Sequence, residues 1–337
     1  MKLTINDIAD MAGVSKATVS RVINNKPDVS KEVREQILSL MKKYDYYPDA
    51  IAQSVARQSS RTVALGVPSS IEKILTNSYY ATMISAILDA INQKNYYLLF
   101  AHHSTEAYEN LINRSRVDGF IVLTSNDKRS DLVEFLCKKQ MPCVLTSKLK
   151  NYDVPSVDID NYEAGKIAVR HLLEKGHRRI AYIYQDRFAS YLERKRGYLA
   201  ALLDAGIEIE TDYIIKISEP TIHEGYKAAL RLMELPNRPS AVFACNDFVG
   251  HGVIKASTDR GLLVPQQMSV IGFDNNYFDE FTDPPLTSVD QSVDARGRKA
   301  AEMIISYIET RKMPESVVLN ACLVQRSSVY DFRERGN

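Results

Sequence analysis

The chain has 337 residues, long for one compact domain, and its 45% hydrophobic and 25% charged residues are ordinary globular values. Lys and Arg number 43 against 42 Asp and Glu, a formal net charge of +1, which excludes a globally basic nucleic-acid coat and makes any DNA contact a local one. The four cysteines (Cys137, Cys143, Cys245, Cys322) have no CxxC or metal-ligand spacing and read as small core residues of a reducing compartment, with no metal or cofactor expected.

The first two elements are short helices. In INDIADMA, Ile5, Ile8, Ala9 and Met11 make one apolar face; in KATVSRVI, Val19, Val22 and Ile23 make another. Gly13 lies between them where a tight turn needs φ > 0, Ser15 is an N-cap for the second helix, and Thr4 and Asn6 are caps for the first. Two short helices across a glycine turn form the helix-turn-helix pattern, whose second helix enters the DNA major groove; an ordinary helical hairpin shares it. Residues 1–60 carry nine Lys and Arg against seven Asp and Glu, a weak local bias. A third helix follows in VSKEVREQILSLMKKYDYYP, capped by Ser30, apolar through Val33, Ile37, Leu40 and Met41, and stopped by Pro48. DAIAQSVARQSSRT is then a short Ala-rich helix, marginal alone in water, running into a linker.

From residue 62 the texture changes to short apolar runs: TVALGV, YYLLFA, DGFIVLT, PCVLT, RIAYIY, DYIIKI, SAVFAC and MSVIGF. Helical periods lie between them, over 79–94, 161–175, 190–205, 222–234, 247–260 and 293–310. Near-continuous apolar strands alternating with helices predict parallel sheets covered on both faces. That many strands exceed one doubly wound sheet, so two α/β lobes with a cleft between them are expected. No leading apolar stretch reads as a signal peptide and no apolar run is long enough for a membrane span, so a cytoplasmic location and no membrane partner are expected.

Eight segments in order carry a resemblance over residues 4–330: TINDIADMAGVSKATVSRVINN, YPDAIAQSVA, VDGFIVL, GHRRIAYI, RKRGYLAAL, RPSAVFACNDFVGHGV, VPQQMSVIGFDN and PPLTSVDQ. The chain resembles the LacI–GalR family of bacterial transcription regulators. The resemblance implies a helix-turn-helix headpiece (1–47), a hinge helix and linker (48–60), and a two-lobed core similar to a periplasmic sugar-binding protein (61–337), with parallel sheets. It further implies three chain crossings between the lobes, here near 160, 290 and 320. Lys16 and Ala17 fall where the family reads its operator, and Ala17 offers only a methyl surface. Arg21 has the reach for a bidentate contact to guanine. Thr4, Ser15, Thr18, Ser20, Asn24 and Asn25 suit DNA contact, mainly to phosphates. Val55 stands where the family inserts a leucine into the minor groove; being shorter and β-branched, it implies a shallower wedge.

For the effector, the resemblance points to Arg194, Asn246 and Asp274 as polar contacts, to Tyr79 and Tyr80 as the aromatic face, and to Ser147, where many members carry aspartate. Independently, Asp274 follows MSVIGF and Asn246 follows SAVFAC, so both sit at carboxyl ends of parallel strands, where open α/β sheets bind ligands. Such groups suit vicinal sugar hydroxyls, with an aromatic ring against the C–H face. Other roles stay open: Asp247 as the N-cap of helix 247–260, the tyrosines as core, and Arg194 paired with Asp274. His177 falls in a helix-to-strand turn after Gly176; His102–His103 has no third ligand nearby; GHGVIK lies in a helix and lacks the context of a phosphate loop. No catalytic motif is present, so an enzyme ranks last and a transport receptor second. A ligand-responsive regulator comes first: operator DNA, a small sugar effector and a second copy of the chain as partners, with a nucleobase, nucleoside or phosphocarrier protein as alternative signals. The terminal VQRSSVYDFRERGN has no heptad, which favours a dimer over a tetramer.

Overall fold

The structure, a computed structural model, describes residues 3–24, 26–47, 59–67, 74, 76–102, 104–123, 130–149 and 151–333. Two compact units divide the chain, Met1–Arg61 and Thr62–Asn337.

The first unit holds α1 (Ile5–Ala12), α2 (Lys16–Ile23) and α3 (Lys31–Lys43). Thr4, not Asn6, caps α1 reciprocally: the Asp7 N–H donates to Thr4 Oγ1 at 3.4 Å and the Thr4 N–H donates to the Asp7 carboxylate at 2.6 Å. Gly13 ends α1 at φ +65°, and Ser15 Oγ accepts the Thr18 N–H at 3.1 Å to start α2. Ile8, Val19, Val22 and Ile37 bury the point where the helices meet. Met11 is 43% exposed and Ala12 is buried instead, because Ile5, Ile8, Ala9 and Ala12 complete the i, i+3, i+4, i+7 stripe and leave Met11 beyond its edge.

The second unit is a pair of α/β lobes. In the first, β1 (Thr62–Val67), β2 (Tyr97–His102), β3 (Gly119–Val122) and β4 (Cys143–Leu145) form a parallel sheet in the order β2-β1-β3-β4. A bridge from Leu145 to Ser156 extends it to the parallel pair β5 (Val157–Ile159) and β11 (Val317–Leu319). Along β1, Val63 and Leu65 face α4 (Ser78–Gln93) and α11 (Val293–Thr310), while Ala64 faces α5 (Thr105–Asn113) and α6 (Ser130–Lys138). Burial on both faces is why this strand reads as an unbroken apolar run.

In the second lobe the order is β12-β10-β9-β8-β6-β7, parallel except for β12 against β10. Its strands are β6 (Ile180–Tyr184), β7 (Ile214–Lys216), β8 (Ala241–Ala244), β9 (Ser269–Phe273), β10 (Thr287–Asp290) and β12 (Cys322–Val324). α7 (Asn161–Glu174), α8 (Ala189–Asp204), α9 (Ile222–Met233) and α10 (Asp247–Asp259) pack on them. The chain passes between lobes after β5, after β10 and after β11, that is at Asp160, at Gln291–Ser292 and at Asn320–Ala321. β5, β10, β11 and β12 have no counterpart among the expected apolar runs. Each has three or four residues, and VDI and TSVD are interrupted by polar side chains.

Candidate functional site

Two surfaces stand out, one on each unit. On α2, Val19 and Val22 face inward, which leaves Lys16, Ala17 and Arg21 exposed and Thr18 and Ser20 half-buried. Arg21 Nε lies 3.2 Å from the Asp28 carboxylate, with both side chains more than half exposed, so water screens the pair and DNA can replace it at little cost. Several expected phosphate contacts already have partners. The Ser15 and Thr18 hydroxyls bond each other at 3.0 Å, the Thr4 hydroxyl donates to Asp7 at 2.7 Å, and Asn24 Nδ2 donates to the Ser20 carbonyl at 2.8 Å. Asn25, Val55 and the hinge segment lie outside the described residues.

In the second unit, Tyr79, Tyr80, Ser147, Arg194, Asn246 and Asp274 all line one cleft between the lobes, of about 150 Å³. Each arrives by a different route. The two tyrosines open α4 and Ser147 follows β4; Asn246 and Asp274 follow β8 and β9 at their carboxyl ends, as the strand-end rule requires. Arg194 is carried on α8, where Gly165 and Gly197 let α7 and α8 cross so closely that a Cβ on Gly197 would run into the Tyr162 carbonyl. Its guanidinium is 3% exposed, lies 3.3 Å over the Phe273 ring centroid, and donates to Asn161 Oδ1 at 3.0 Å and to the Cys245 carbonyl at 2.7 Å.

Arg194 and Asp274 therefore take separate partners rather than each other. Asp274 accepts from Gln291 Nε2, and its backbone stands at φ +117°, a conformation L residues rarely adopt, fixed by its N–H to the Val289 carbonyl at 2.9 Å. Burial and the nearby Asp247 carboxylate push the Asp274 carboxyl up to about 8, with Arg194 opposing. The N-cap of α10 is Asn246, not Asp247. The Asn246 Oδ1 accepts the Val249 N–H at 3.0 Å, a role that demands the extended backbone found at 246. Asp247 is instead fully buried; it accepts from Ser288 Oγ at 2.6 Å and from Asn276, and its carboxyl is raised by burial and by neighbouring Asp279. Tyr79 and Tyr80 meet edge to face at 5.2 Å and are half-buried, so their rings wall the cleft and also pad the first lobe.

The cleft also holds residues that the sequence reasoning missed. Asn161 and Gln291 sit at the first and second crossings, Asp158 lies in β5, and Arg296 lies in the first turns of α11. Arg296 had a legible signal: it occupies the stripe of Val293, Gly297, Ala300 and Ile304, where a cation has no solvent face. Ser78 of the first lobe bonds Asn276 of the second beside the cleft. His177 is a buried structural clasp, its ring bonded to Ser240 Oγ at 2.9 Å and to the Tyr330 carbonyl at 3.1 Å, and burial holds it down at about 4. His103 lies outside the described residues. No helix among the described residues is long and apolar enough to cross a membrane.

A helix-turn-helix unit and a two-lobed ligand cleft on one chain define a ligand-responsive DNA-binding regulator. A family model described as "Bacterial regulatory proteins, lacI family" matches residues 4–49, and one described as "Periplasmic binding protein-like domain" matches residues 169–329. Among similar proteins, the NTD biosynthesis operon regulator NtdR of Bacillus subtilis (strain 168) is 33% identical over 90% of this chain and 92% of its own length. Catabolite control protein A of Priestia megaterium is 31% identical over 94% and 96%. The structure of the transcriptional regulator CelR–cellobiose complex is 30% identical, with a TM-score of 0.73 over 97% of this chain and 99% of that one. The chain belongs to the LacI family of bacterial transcriptional regulators and is a DNA-binding transcriptional regulator.

Proposed function

We propose that the protein represses carbohydrate-utilisation genes, binding a pseudo-palindromic operator as a homodimer, with its operator affinity set by a small sugar held between the lobes. Residues 1–47 form the DNA-binding headpiece, 48–60 the hinge and 61–337 the effector and dimer unit. The α2 surface reads the operator, with Arg21, Lys16 and Ala17 at base edges and Thr4, Ser15, Thr18, Ser20, Asn24 and Asn25 toward the backbone; Val55 is the minor-groove wedge.

One observation carries the sugar assignment: the six effector positions, drawn from both lobes, converge on a single cleft. Arg194, Asn161 and Asp274 offer donors and acceptors to neighbouring hydroxyls, and Tyr79 or Tyr80 offers a ring face. A relative solved with cellobiose has the same overall fold. Calorimetry of the full chain against mono- and disaccharides, with nucleobases and nucleosides alongside, tests it. A sugar should bind in the micromolar to millimolar range, and Asp274→Ala and Arg194→Ala should each weaken it by about 1–3 kcal/mol. Wild-type affinity in both variants, or binding confined to nucleobases or nucleosides, refutes the assignment.

A further inference from the structure

Two guanidiniums are buried in the cleft, and among the described residues neither has a carboxylate in hydrogen-bond contact. Arg194 is held by the Asn161 amide, the Cys245 carbonyl and aromatic faces. Arg296, 2% exposed, donates to Gln291 Oε1, to the Thr146 carbonyl and to Ser147 Oγ, all of them neutral acceptors. Its Nε–H is buried with no hydrogen-bond partner. Arg296 forms an ion pair with Asp158 at 3.6 Å, and that carboxylate is also engaged by the N–H groups of Lys148 at 2.9 Å and Ile159 at 2.8 Å.

A buried cation whose ion pair, with Asp158 at 3.6 Å, lies beyond hydrogen-bond reach is only partly compensated, and a helix stripe that elsewhere carries Val, Gly, Ala and Ile has no structural need for one. Arginine is the side chain suited to carboxylate and phosphate recognition, because its planar donors stay charged at any physiological pH. Arg296 also lies 6.0 Å from the Tyr79 ring centroid, so a sugar ring lying against Tyr79 places a substituent within reach of it.

We propose that the ligand is an anionic carbohydrate, whose single carboxylate or phosphate group sits against Arg296 and Ser147 while its hydroxyls face Arg194, Asn161 and Asp274. This rests on the sugar-responsive function proposed above and narrows its ligand class. Asp158 sets the strength of the contact, since it competes for the same guanidinium. Ser147 matches that assignment: a carboxylate there would repel the anion, whereas its hydroxyl donates to it.

Calorimetry on the full chain with matched sets tests this: D-glucose, D-glucuronate and D-glucose 6-phosphate, then the galactose and mannose equivalents. In at least one set an anionic member should bind about tenfold or more tighter than its neutral parent, and whether acid or phosphate ester wins names the anion. Arg296→Gln should collapse that ratio to near unity. Asp158→Asn, which drops the charge and keeps one acceptor oxygen where Lys148 and Ile159 now use both carboxylate oxygens, should tighten the anionic ligand several-fold, a gain that misfolding cannot produce. Equal affinity of neutral and anionic members, or a looser anion in Asp158→Asn, overturns the anionic assignment while the sugar-responsive function stands. Failure of every carbohydrate to bind overturns both.

Discussion

Arg21 and Asp274 show how far a residue's partners decide its work. Arg21 spends its charge on an exposed pair with Asp28, which is worth at most about 1 kcal/mol in water, so the guanidinium stays available to a guanine edge. Arg21→Ala should cost about 1–3 kcal/mol of specific operator affinity and relax discrimination at one base pair of each half-site, measured by gel shift on substituted operators. Unaltered discrimination removes Arg21 from the reader set. Asp274 is the opposite case, a carboxyl enclosed by Asp247, Asp279, Arg194, Arg296 and Tyr79 and raised to about 8. Its ordinary value is about 3.9, so the folded chain keeps a proton that the unfolded chain has released. Stability from this group is complete below pH ~4 and is lost as pH rises through about 8. Asp247 and Asp279, also raised by burial, act with the same sign. The melting temperature should therefore fall between pH 7 and 9, above the range where His177 and His251 titrate, and Asp274→Asn should flatten the slope. A slope identical in wild type and variant would assign it to the other carboxyls.

Among the elements, the crossing of α7 and α8 carries Arg194 into the cleft. Gly165 meets the Arg194 backbone and Gly197 meets the Tyr162 carbonyl, so at this crossing the two main chains touch directly, and Arg194 from the same turn lies over Phe273. Gly197→Ala adds a methyl group where no side chain can give way. It should destabilise the second unit by about 1–3 kcal/mol through overpacking, and it should weaken effector binding by tilting the helix that carries Arg194. Chemical denaturation and calorimetry on one preparation check both; a loss of stability with unchanged affinity means that Arg194 is positioned by Asn161 and Cys245 instead.

At the scale of the whole molecule, ligand and DNA communicate only through states that differ in affinity for both. The lobes meet through polar contacts beside the cleft, Ser78 with Asn276, and Gln291 of the second crossing joining Arg296 to Asp274, and a ligand bridging the same walls favours whichever lobe arrangement it fits. The sign of the response follows from which arrangement suits the operator. Paired half-sites of an operator mirror a two-fold protein, so the chain should sediment as a dimer at micromolar concentration and occupy two half-sites. A stable monomer that binds a single half-site would contradict this.

Most of the elements were legible in the sequence because the forces that shape them are local. The periods over 79–94 and 293–310 correspond to Ser78–Gln93 and Val293–Thr310, since apolar spacing and capping act within a few residues. Asp274 and Asn246 were legible for a related reason, each following an apolar strand on the side where α/β sheets open. Asn161, Asp158 and Gln291 were not, although they line the same cleft, and for Arg296 the pattern showed a cation on a buried stripe but not what it meets. They belong to the segments that pass between lobes, where strands are short and polar, and their partners are remote in sequence: Arg296 donates to the carbonyl of Thr146, 150 residues away. Periodicity marks which face of an element is buried. Which elements then face one another depends on strand order and on where the chain crosses, and only the packed lobes decide that an arginine on an apolar helix stripe meets a ligand rather than a core.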